Sequence, residues 1–217
     1  MLRIILAAWI ATCLFAADDR IKLDNDFVRV IKATVEPHQK SALHRHEFNR
    51  VIVALDAGDL DVVYQDGPID RQHWKAGQVE WSPAGGMHTS ENVGARPFRL
   101  VEVEIKKPAP GMAAARNPAM DPVALDPRHN ILLFDNPQVR VFRSWREPGG
   151  AEKMHEHKGA GRLSVLLTDM DARVKTSDGP AASQHGAQGD ILWSGPVVHA
   201  ATNAGSERFE MVVIEIK

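Results

Sequence analysis

The chain has 217 residues, with 26 Lys+Arg against 28 Asp+Glu and a formal net charge of −2. That balance, with no Lys/Arg-rich stripe, argues against a nucleic-acid or anionic-membrane partner. Ten histidines beside a single tyrosine point to metal or proton chemistry instead.

Residues 1–17 read as a secretory signal peptide rather than as part of the fold. Met1-Leu2-Arg3 is a short basic start, Ile4 to Ala17 is apolar and uncharged, and Ala16-Ala17 are small residues near the expected cut. The apolar stretch is shorter than the roughly 20 residues that span a bilayer, so no membrane span is expected. Cys13 is the only cysteine. Ile10-Ala11-Thr12-Cys13 departs from a lipoprotein box at Thr12, which weighs against lipidation. Cleavage would leave a mature chain without thiols, suited to a periplasmic or secreted location.

After the leader come short apolar or alternating segments separated by turns. Val28–Val35, Val51–Leu55, Leu60–Tyr64, Val79–Trp81 and Phe98–Ile105 are expected strands. In the last of these the strict alternation is that of a half-buried strand. Asp66-Gly67-Pro68, Pro83-Ala84-Gly85-Gly86 and Asp178-Gly179-Pro180 are turn signals. Residues 107–130 carry Pro108, Pro110, Pro118, Pro122 and Pro127 and read as a linker, with at most one helical turn near Gly111–Arg116. The strands then resume: Val139–Trp145, Leu163–Leu167, Ala172–Lys175, Ile191–Trp193 and Phe209–Ile216.

The second series repeats the first. Asp24-Asn-Asp-Phe-Val-Arg-Val answers Asp135-Asn-Pro-Gln-Val-Arg-Val, and Glu104-Ile-Lys answers Glu215-Ile-Lys. Gly77-Gln-Val-Glu-Trp-Ser answers Gly189-Asp-Ile-Leu-Trp-Ser. His44-Arg45-His46 answers His155-Glu156-His157, and His88…Asn92 answers His199…Asn203. A tandem duplication of nearly the whole mature chain follows, as 18–106 and 131–217. About ten short strands per copy would close a small barrel or jelly roll.

Each copy carries a three-histidine set. A His-x-His pair on a strand puts both rings on one face, because side chains alternate with period two. A third histidine from another strand can complete a facial metal site with open positions. The alternative is three unrelated polar histidines on a barrel wall.

These motifs resemble those of the cupin superfamily. Gly77, Pro83, Gly85, His88 and Asn92 match the second cupin motif throughout, whereas the second copy keeps Gly189, His199 and Asn203. The leading glycine of motif one is Gly149 in the second copy and His38 in the first. The resemblance implies an all-β bicupin, two tandem cupin barrels of double-stranded β-helix (jelly-roll) type, able to form homo-oligomers through the barrel sheets. It implies metal ligation by His44, His46 and His88, and by His155, His157 and His199. Iron(II) is the metal expected from three-histidine relatives, and manganese, zinc, nickel and copper fit the same donors.

One departure stands out. Where the motif carries a glutamate ligand, this chain has Arg50 and Arg162. An arginine cannot bind a metal. Either it receives a small anionic substrate, as in a metal-dependent dioxygenase, or it fills a metal-free barrel that acts as a non-catalytic anion- or sugar-acid-binding module. Oxalate chemistry ranks lower, since it relies on the missing glutamate. Lesser candidates are Glu80 as an acid/base group in the first copy, His38 as a partner of a ligand ring, and His73 and His185 as surface residues. Trp81 and Trp193 are expected core fillers.

Overall fold

The computed structural model describes residues 19–65, 67–107 and 117–217. The leader, Cys13, Asp66 and the expected helical turn near Gly111–Arg116 lie outside them. The first half holds β1 (Ile21–Asp24), β2 (Val28–Val35), β3 (His44–His46), β4 (Arg50–Ala54), β5 (Gly58–Tyr64), β6 (Ile69–Trp74), β7 (Val79–Ser82), β8 (Gly85–Asn92) and β9 (Phe98–Ile105). A short helix, α1 (Pro122–Leu125), precedes the second half. That half holds β10 (Asn130–Asp135), β11 (Val139–Arg146), β12 (His155–His157), β13 (Gly161–Leu166), β14 (Met170–Thr176), β15 (Ala182–Gly186), β16 (Ile191–Ser194), β17 (Val197–Asn203) and β18 (Phe209–Ile216). Nine strands per half replace the expected ten or so.

Each half is a five-stranded sheet facing a four-stranded one. The orders are β1-β2-β9-β4-β7 with β3-β8-β5-β6, and β10-β11-β18-β13-β16 with β12-β17-β14-β15. Strand for strand, the second pair of sheets repeats the first.

The five-stranded sheets are buried on both faces. One face lines its own barrel; the other packs against the other half. Val28, Val30, Val51, Val53, Val101 and Val103 share one core with Val139, Val141, Leu163, Val165, Val212 and Ile214. Trp81 and Trp193 pack onto that core as expected. Polar contacts tie the same seam: Asn49 Nδ2 donates to Gln138 Oε1 at 2.5 Å, and Arg99 Nη2 to Gln188 Oε1 at 3.1 Å. Strand β9 is therefore not half-buried. Its valines face the other half, and Glu102 and Glu104 face the interior of their own barrel, Glu104 with only 7% exposure.

One transverse row recurs in both barrels. The register across β2, β9, β4 and β7 aligns Arg29, Glu104, Arg50 and Ser82. Across β11, β18, β13 and β16 it aligns Arg140, Glu215, Arg162 and Ser194. Directly opposed residues share a face, so each barrel carries an Arg-Glu-Arg-Ser rung below its histidines.

Candidate metal centre

The three histidines of each set converge. In the first half β3 pairs with β8 so that His44 lies opposite His88. In the second, β12 pairs with β17 so that His155 lies opposite His199. Ring centroids are 5.0, 4.6 and 5.3 Å apart for His44–His46, His44–His88 and His46–His88. The counterparts measure 4.9, 4.5 and 5.2 Å. Within each set, one nitrogen per ring lies within 4.8 Å of the others.

The outer nitrogens settle which atoms face inward. His44 Nδ1 donates to the Ala42 carbonyl at 2.8 Å, and His88 Nδ1 to that of Gly86 at 2.9 Å. His155 Nδ1 donates to the Lys153 carbonyl at 2.9 Å, and His157 Nδ1 to Glu215 Oε1 at 2.7 Å. Carbonyl and carboxylate oxygens only accept, so each of these Nδ1 atoms carries the proton and each Nε2 of a neutral ring keeps a lone pair. His155 Nε2 and His157 Nε2 nevertheless stand 3.0 Å apart. Two lone pairs at that distance repel unless they share a cation. Nitrogens bound about 2.1 Å from one ion at a right angle lie roughly 3.0 Å apart, so the separation suits a divalent metal. His199, buried, has no hydrogen-bond partner among the described residues on either ring nitrogen, so either one is free to act as a donor to an ion.

Electrostatics disfavour protonation of His46, His88 and His199. Burial, then the charge of Arg50, lowers His46 to about 3, and burial also lowers His88. Burial and then Arg162 push His199 strongly down. In the unfolded chain a histidine titrates near 6.5. Between about 3 and 6.5 the unfolded state therefore binds the extra proton, and the metal-free fold loses stability as pH falls through that window. In chelator-treated protein, melting temperatures followed from pH 7 to pH 4 should show an acid decline that His46→Gln makes shallower. An unchanged slope would contradict this assignment.

Both arginines lie inside the barrels. Arg50 Nη1 reaches Glu102 Oε2 at 3.4 Å, and that oxygen is 4.0 Å from His46 Nδ1. Arg162 Nη1 donates to Ser164 Oγ at 3.0 Å. The Nε of each is buried and has no hydrogen-bond partner among the described residues, leaving donor capacity unused. A small cavity of about 30 Å³ borders His155, His157, His199 and Arg162. It has room for an ion with one or two water-sized ligands.

Sequence reading missed the glutamates. Glu215 fixes the His157 ring by its 2.7 Å bond and lies 3.7 Å from Arg140. In the first half Glu102 pairs with Arg50 at 3.4 Å and lies 4.0 Å from His46 Nδ1, too far to fix that ring by a hydrogen bond. Their signal was a charged residue at the inward phase of a repeated strand. Glu80 is exposed on β7 and bonds Gln78, away from the histidines. His38 is an exposed loop residue whose φ of 60° takes the left-handed place held by Gly149 in the second copy. His73 and His185 are exposed and pair with Asp59 and Asp171.

No family model matches the sequence, and no curated protein does. Solved structures do. AerE from Microcystis aeruginosa superposes with a TM-score of 0.62 at 15% identity, over 91% of this chain and 95% of that one. A cupin 2 conserved barrel domain protein from Leptotrichia buccalis gives 0.55 at 13% identity, over 90% and 86%. An oxalate decarboxylase of Bacillus subtilis gives 0.63 at 12% identity, over 87% and 68%. The chain is a bicupin in fold. A salicylate 1,2-dioxygenase from Pseudoaminobacter salicylatoxidans has the same architecture, with a TM-score of 0.61 at 12% identity over 87% and 70%. This bicupin differs from the expected motif in placing arginine on the rung beneath each histidine set. No helix among its described residues is long and apolar enough to cross a membrane.

Proposed function

We propose that this bicupin is an exported metal-binding protein that, loaded with iron(II), acts as a dioxygenase on a small anionic substrate. The observation that carries the reading is the pair of inward-facing Nε2 lone pairs at 3.0 Å, each fixed by a protonated Nδ1. His44, His46 and His88 would hold one ion, and His155, His157 and His199 a second. A ferrous ion in such a donor set would supply the one-electron chemistry that dioxygen requires.

The protein groups do the rest. Backbone carbonyls and Glu215 orient the rings, so that no reorganisation is needed to present the nitrogens. Arg50 and Arg162 supply the anion-binding charge; both stay protonated although burial lowers them. Salicylate, which names one structurally similar enzyme, is a small carboxylate of the kind a guanidinium receives. The basic start and apolar stretch of residues 1–17 support export to the periplasm or beyond the cell.

Oxygen uptake by the iron-loaded protein on a panel of small carboxylates tests this. A charge-assisted hydrogen bond is worth about 1.5–3 kcal/mol, so Arg50→Gln should raise KM at least about tenfold. The buried guanidiniums favour one other reading, a binding module for small anions. No oxygen uptake on any carboxylate, with saturable carboxylate binding that Arg50→Gln weakens, would establish that module instead.

A further inference from the structure

The two centres share their ring geometry but not their surroundings. His155, His157 and His199 are all buried, whereas His44 and His46 are partly exposed. The difference lies in the segment before β10. Asp121 caps α1 by accepting from the Val123 and Ala124 amides, and its carboxylate takes two bonds from Arg140, at 2.8 and 3.2 Å. Arg140 reaches Glu215 at 3.7 Å, and Glu215 holds His157. The Glu156 amide, between two of the histidines, donates to the Met120 carbonyl. Asn130 Nδ2 donates to the Pro122 carbonyl at 2.7 Å, and Pro122 and Asn130 both border the cavity beside the histidines.

Among the described residues the first copy shows no such cap. One repeat of 111 residues before Asp121 stands Ile10, in the apolar leader. Arg29, the counterpart of Arg140, pairs with Asp24 and Glu104 among the described residues.

We propose that residues 117–130 cap the C-terminal centre, which therefore retains its ion against exchange and admits only ligands of a few atoms. The uncapped N-terminal centre exchanges its ion and takes the larger organic substrate. The metal-exchange half of this assignment rests on the metal reading above; the cap itself does not.

Two measurements on the full-length chain separate them. In the first, zinc-loaded protein is mixed with a chromogenic chelator. Two release phases are expected, the slower at least about tenfold behind the faster. His155→Ala should abolish the slow phase and His46→Ala the fast one. Asp121→Asn should speed only the slow phase. A single rate, or a slow phase indifferent to Asp121→Asn, overturns the assignment. The second needs no metal: diethylpyrocarbonate labelling of chelator-treated protein, mapped by mass spectrometry. His44 and His46 should label readily, and His155 and His157 should stay protected until Asp121→Asn or Pro122→Ala opens the cap. Equal labelling of both sets in the native chain would refute the cap. Protected labelling together with failure to retain zinc at either centre would refute the metal reading and the exchange claim, and leave the cap standing.

Discussion

Glu215→Ala should cost about 3–5 kcal/mol of stability, the usual consequence of removing one partner from a buried ion pair. Glu215 is 1% exposed and sits on the rung between Arg140 and Arg162. Arg140 would keep Asp121 as a partner. Among the described residues Arg162 would keep the neutral Ser164 Oγ as a hydrogen-bond partner and the more distant charge of Glu152, with its own charge still buried. His157 would lose the acceptor that sets its tautomer. Loss of a partner that orients a ligand ring typically weakens metal affinity 10–100-fold, so the C-terminal centre should lose metal affinity by a similar factor. Chemical denaturation and metal titration read the two effects separately. Glu104→Ala should be much milder. Burial and the neighbouring Glu102 raise the Glu104 carboxyl above its usual range, and Glu102 already serves Arg50. Equal losses from the two substitutions would contradict the distinct parts assigned to these glutamates.

The second large effect concerns the seam. A fragment of residues 19–107, expressed alone, should aggregate or self-associate rather than remain a soluble monomer. Val28, Val30, Val51, Val53, Leu55, Val101, Val103 and Ile105 are at most 2% exposed, within a core shared with the second half. Exposing such side chains costs roughly 1.5–3 kcal/mol each as an upper estimate. Their sum, on the order of 10 kcal/mol or more, rivals the whole stability of a typical domain, about 5–15 kcal/mol. Sedimentation of the fragment decides the point, and a stable monomer would show that the seam is dispensable. The sheet pairing that the fold's resemblance offers to oligomers is made here inside one chain.

Much of this was legible in the amino-acid sequence. The 111-residue repeat gave the two barrels, and the His-x-His pairs with His88 and His199 gave both triads. Strands β2 and β9 run over the expected residues because their apolar phase is clear. The histidine strands β3, β8, β12 and β17 show no such phase, since their inward positions include the histidines themselves and Asn92 and Asn203, and only the motif marks them. Glu102, Glu104 and Glu215 were hidden by the opposite effect. Alternation of charged and apolar residues reads as one wet face and one dry face. Here both faces are buried, and the charged one is neutralised by an arginine rung that only the strand register reveals. The proline-rich stretch read as a linker, yet its described part carries α1 and the Asp121–Arg140 pair, a contact between residues that nothing local in the sequence links.

The central claim is that each barrel presents three nitrogens to one divalent ion. Elemental analysis of the purified chain after anaerobic loading and desalting tests it most directly. The account predicts two metal ions per chain, one in His155→Ala and one in His44→Ala. Metal well below one per chain, unchanged by either substitution, would contradict it.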